Sequence, residues 1–124
     1  MVSKPVRHLD LFVNDTLKHL EQVRVQYNYT CLAAIHIGIP IRVFSLHGVF
    51  FINPRLQSHG QAISKARESS AFWPQRPPVI VTRYLPVTIS SDHHEGVYMS
   101  RTSVEGHCIL HILDQMRGTS MYDT

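Results

Sequence analysis

The chain lacks several features that would fix its class at once. No run of four or more Lys/Arg occurs among its 12 basic residues, and the formal net charge is only +3. Specific nucleic-acid binding is therefore not expected, although a weak pull toward phosphate-rich surfaces is allowed. No apolar run approaches the roughly 18–20 residues of a membrane span. Two cysteines, Cys31 and Cys108, are too few for a disulfide scaffold. The opening MVSKPVRHLDLF has neither the apolar stretch of a signal peptide nor the Arg/Ser bias of a transit peptide. At 124 residues, with 44% of them hydrophobic, the chain suits one domain over 1–124, because halves would each have too little interior. What is present in excess is histidine, nine in all. That excess suggests a metal site or a pH switch, or else a set of half-exposed polar residues.

Apolar periodicity predicts a helix over 10–27, with Val13, Leu17, Leu20, Val23 and Tyr27 on one face and Asp10 as N-cap. Ile41, Val43 and Phe44 suit a strand, and Leu46-His47-Gly48 a tight turn into a second strand, 49–52. Asn53-Pro54 is expected to end it, since proline has no amide hydrogen for the ladder. Residues 57–78 read as a long irregular loop. Strands follow at 79–84 and 87–90, split by Leu85-Pro86, then a polar turn at 91–95 and a short strand at 96–99. A second helix is predicted over 103–117, capped by Ser103, striped by Val104, Cys108, Ile112 and Met116, and stopped by Gly118. The order helix, strands, helix is that of an α+β fold.

On the second helix, His107, His111 and Gln115 are four apart and share a face. Two imidazoles at that spacing can reach one zinc ion, as in HExxH helices, but the glutamate that activates water is absent. A half-buried polar face is the competing reading.

Three segments, YTCLAAIHIG (29–38), ESSAFWP (68–74) and HILDQMRG (111–118), resemble in this order those of the peptide deformylase family. HILDQMRG (111–118) lines up with its HExDHLxG, YTCLAAIHIG (29–38) with GxGLAAxQxG, and ESSAFWP (68–74) with EGCLSxP. The run Ile52-Asn53-Pro54 matches the family's INP. The resemblance runs from about Pro5 to Asp123 and implies a deformylase-like α+β fold, with small antiparallel or mixed sheets around a C-terminal motif-bearing helix. Members remove the formyl group from the starting methionine of bacterial and organellar polypeptides. They use a divalent metal on one Cys and two His, a glutamate to move the proton, and a glutamine for the oxyanion.

Carried over position by position, the first histidine ligand is kept as His111, but the second falls on Gln115 and the cysteine ligand on Ser70. The catalytic glutamate falls on Ile112 and the oxyanion glutamine on His36. Tyr29 and Cys31 stand where the family has glycines. Retained residues are mostly architectural: Leu32, Ala33, Ala34, Gly38, Asn53, Pro54, Glu68, Pro74, Asp114 and Gly118. The comparison thus implies a catalytically inactive deformylase-like protein with no cofactor and no metal expected, His36 and His111 being the candidate donors should one be held. Tyr29, Phe72 and Trp73 are expected to plug the former cleft or form an interface. Cys31 and Cys108 are expected to be reduced, buried thiols if the first motif packs on the last helix. Trimming at both ends resembles the short deformylases of tailed bacteriophages. The expected role is a structural or protein-binding component of a larger assembly, a phage virion first, with the host cytoplasm or a mitochondrial ribosome as other locations. Other proteins are the expected partners, with no specific nucleic acid, membrane or small-molecule substrate. The alternatives are a deformylase with an altered metal site, and a module that binds formyl-peptides without cleaving them.

Overall fold

The computed structural model describes residues 3–68, 79–92 and 95–117. Helix α1 spans Leu11–Gln26, and Asp10 caps it by accepting a 2.9 Å hydrogen bond from the Val13 amide. Val13, Thr16 and Leu20 are buried, with Leu17 and Val23 packed beside them. Thr16 takes an inward position that the apolar stripe did not reveal, its hydroxyl satisfied by the Phe12 carbonyl at 2.9 Å. Tyr27, expected inside, is 61% exposed because the helix has already ended there.

Strand β1 (Cys31–Ala33) leads into a 3-10 turn, Ala34–Ile37, closed by Gly38 at φ +82°. Strand β2 (Val43–Leu46) is buried throughout and pairs with β3 (Val49–Glu68) across a two-residue turn. Both turn residues, His47 and Gly48, have positive φ, the backbone that matches the twist of a tight hairpin.

Beyond that turn the structure differs from expectation. Strand β3 does not stop at Ile52 but continues to Glu68, paired along its length with β4 (Val79–Asp92). The register shifts between the Ile52–Asp92 and Arg55–Ser90 pairs, with Asn53 at φ +49°. This bulge passes Pro54 through the strand without requiring a ladder donor from it. Residues 57–68 are therefore strand, while 69–78 lie outside the described residues. Strand β4 is likewise continuous through a cis Leu85–Pro86 bond rather than split there. Gly60 permits the approach, since a Cβ at that position would stand 2.3 Å from the Leu85 carbonyl oxygen. Residues 91–92 belong to β4 rather than to a polar turn, and β5 is only Tyr98–Met99. The described strands form one antiparallel sheet in the order β1-β2-β3-β4-β5.

Helix α2 spans Ser103–Met116. Thr102, not Ser103, is its cap, accepting from the Glu105 amide at 3.2 Å. The predicted stripe is only partly inside: Val104 is 58% exposed, whereas Ile109, Ile112, Leu113 and Met116 pack with Phe44, Phe51, Val87 and Ile89. Gly106 lets the helix settle on β4, where a Cβ would lie 2.5 Å from Leu85 Cδ2. The helix ends at Arg117, whose amide reaches back to Leu113 and Asp114; Gly118 lies outside the described residues. Among the described residues no helix is long and apolar enough to cross a membrane.

Candidate functional site

The fold sets β1 and its 3-10 turn against α2, and a cleft of about 300 Å³ opens between them. Tyr29, Cys31, His36, His111, Ile112 and Gln115 all border it, so four of the five positions matched to the deformylase site converge. The fifth, Ser70, lies outside the described residues, as do Phe72 and Trp73. Tyr29 borders the cleft while 39% exposed, and does not fill it.

His36 is oriented by two hydrogen bonds. Its Nδ1 accepts from the Ala33 amide at 3.1 Å, which leaves Nε2 to donate to Gln115 Oε1 at 2.6 Å. Burial lowers the His36 pKa to about 4; the Gln115 bond opposes that shift and His111 adds to it. His36 is therefore a neutral imidazole at pH 7. Ile112, 2% exposed, is at once cleft wall and core.

The face shared by His107, His111 and Gln115 is real, but it serves two different partners. Gln115 turns to His36, whereas both histidines turn to Glu68 from β3. His107 Nδ1 is hydrogen-bonded to Glu68 Oε2, and His111 Nδ1 lies 3.4 Å from Glu68 Oε1. Arg83 from β4 grips the same carboxylate at 2.9 and 3.2 Å and reaches Asp114 at 2.9 Å. Burial alone would raise the pKa of Glu68. The bonds from His111, Arg83 and His107, with the charge of Arg83, reverse this and bring it to about 2. Of this cluster the sequence had pointed to His111 and, through its spacing, to His107. Glu68 and Asp114 read there only as retained scaffold positions; Arg83, and Ser64, whose Oγ lies 3.0 Å from His107 Nε2, carry no signal.

His111 Nε2 is buried with no hydrogen-bond partner among the described residues. The described donors nevertheless do not by themselves make a divalent-metal site. His36 and Gln115 are committed to each other, and the described residues contain no group of three or more His, Cys, Asp or Glu able to hold an ion. Cys31 and Cys108 are free thiols that interact across the cleft, and burial pushes Cys31 well above the usual thiol range.

An antiparallel sheet wrapped on a buried, histidine-bearing C-terminal helix defines an α+β class of small domain. The family model for polypeptide deformylase matches residues 1–124, and the chain belongs to that family. Solved structures agree on the fold. A peptide deformylase from Legionella pneumophila superposes with a TM-score of 0.88 at 20% identity, covering 99% of this chain and 77% of that one. The deformylase of Vibrio parahaemolyticus bacteriophage VP16T, in complex with actinonin, gives 0.83 at 18% identity, covering 98% and 91%. That of Thermotoga maritima gives 0.83 at 21%, covering 98% and 86%. No curated protein matches the chain.

Proposed function

We propose that this chain is a deformylase scaffold that has given up deformylation and acts as a structural or protein-binding component of a larger assembly, with a bacteriophage virion as its setting. The observation that carries this reading is the hydrogen bond between His36 and Gln115, beside a buried Ile112. A side chain matched to a metal ligand is tied to one matched to the oxyanion donor. The position matched to the proton-shuttling glutamate carries a hydrocarbon. Losing a general base typically costs 10²–10⁴-fold in rate, and a neutral amide is a poor transition-metal donor. The phage deformylase, matched over 91% of its length, supports the phage setting.

The test has two halves. Purified protein, supplied with Fe²⁺, Ni²⁺ or Zn²⁺, is expected to retain under a tenth of an equivalent of metal and to release no formate from a formyl-methionyl peptide. Stoichiometric metal together with formate release would overturn the loss of activity. In gradient sedimentation of particles from the producing cell, the chain is expected to travel with a large particle at fixed copy number. Recovery solely as free monomer would overturn the assembly role.

A further inference from the structure

A second constellation lies outside the His36–Gln115 cleft and has the order of a nucleophile, a base and an orienting acid. Ser64 on β3 is half-buried, and its Oγ stands 3.0 Å from His107 Nε2. His107, 4% exposed, bonds through Nδ1 to Glu68. The ring of His107 thus bridges the two side chains, Nδ1 facing the Glu68 carboxylate and Nε2 facing the Ser64 hydroxyl. With the ring proton on Nδ1, this is the arrangement of a general base oriented by the acid behind it. Arg83 fixes both carboxylate oxygens, and among the described residues His111, Cys31, Cys108 and, through Arg83, Asp114 also act on the acid.

Ser64 also opens onto a cavity of about 310 Å³ that the cleft does not share. Its walls are apolar at Ala62, Leu85 and Pro86, and Thr102 and Ser103 at the start of α2 close one side. Ser103 lies in the first turn of α2, where backbone amides lack an acceptor within the helix and the dipole is positive. A nucleophile, a base with its acid, a small apolar pocket and amide donors for developing negative charge thus meet at one place.

We propose that Ser64, His107 and Glu68 form an acyl-transfer site that hydrolyses short-chain carboxylic esters. Ser64 Oγ attacks the ester carbonyl carbon as its proton passes to His107 Nε2, and the carbonyl electron pair becomes an oxyanion beside the first turn of α2. Collapse breaks the bond to the alcohol oxygen, which leaves with the proton from His107, and Ser64 is acylated. Water then attacks the acyl carbon as its proton passes to His107, the bond from that carbon to Ser64 Oγ breaks, and Oγ takes the proton back from His107 as the carboxylic acid leaves. The site uses no metal, so it stands or falls independently of the lost deformylation proposed above.

The test uses the full chain, a fluorophosphonate probe with peptide mapping by mass spectrometry, and p-nitrophenyl acetate as substrate. The expected result is a phosphonyl adduct on Ser64 and turnover that falls at least tenfold in Ser64→Ala. The Ser58→Ala control, exposed on the same strand, is expected to retain the wild-type rate. Ser64→Ala removes one half-buried oxygen, and matching thermal melts would show that it still folds. His107→Gln is expected to abolish the adduct, but Ser64→Ala decides should that variant not fold. Absence of an adduct on Ser64 in folded protein, or wild-type turnover by Ser64→Ala, would overturn the proposal.

Discussion

Acidification should destabilise the protein through His36 in a window that no carboxylate in the site shares. Folding lowers the His36 pKa from 6.5 to about 4. The unfolded chain therefore binds a proton that the folded chain refuses between those values. Stability is full above pH 6.5 and is lost as pH falls through the folded value of about 4. At 1.36 kcal/mol for each tenfold change in proton activity, the loss from this residue is about 2 kcal/mol between pH 7 and 5, and about 3 kcal/mol by pH 4. Glu68 also loses stability on acidification, but its window runs from 4.5 down to about 2. The interval from pH 7 to 5 thus isolates the histidine. Urea denaturation at pH 7, 6 and 5 should show the wild-type midpoint falling, and His36→Gln, an amide that never ionises, should fall by about 2 kcal/mol less. Equal losses in both proteins, or a His36 imidazole that titrates near 6.5 by NMR, would refute the reasoning.

Two further outcomes follow from packing. Glu68→Ala removes the acid that faces Arg83, His107 and His111, leaving Arg83 with Asp114 among the described residues. It is expected to destabilise by about 3–5 kcal/mol, read by urea denaturation, whereas a loss below about 1 kcal/mol would mean that the cluster is loosely held. Gly60→Ala places a methyl 2.3 Å from the Leu85 oxygen and 2.5 Å from Pro86 Cδ. It should cost about 1–3 kcal/mol and lower the melting temperature, and a neutral result would contradict the close approach of β3 to β4.

The helices were legible in the sequence because their signals are local. Asp10 caps α1 within three residues, and the apolar spacing around Val13, Leu20, Ile112 and Met116 reports the inward faces directly. Residues 53–68 were not legible. Their side chains are mainly polar and mostly exposed, with even Ile63 at 64%, so no alternation marks them as strand. The ladder with β4 holds them, and a ladder is made of backbone groups common to every sequence. The convergence of His36 with Gln115 across 79 residues was suggested only by family resemblance. The contacts of His107 with Glu68 and Ser64 span 39 and 43 residues and break with the resemblance, which marked neither His107 nor Ser64.

Under the proposed function, the double duty of Ile112 bears on whether position 112 could take a carboxylate. Its side chain is 2% exposed and lies among Ile109, Leu113 and Met116 in the core as well as along the cleft. A glutamate there would have to be taken out of water without a partner, at a cost of several kcal/mol. It would gain nothing in exchange until position 115 also changed and His36 was released from Gln115. Each single step backward is therefore worse than staying. If deformylation has been given up as proposed, the hydrocarbon at position 112 acts as a ratchet, since its core contacts would have to be broken before a carboxylate could stand there.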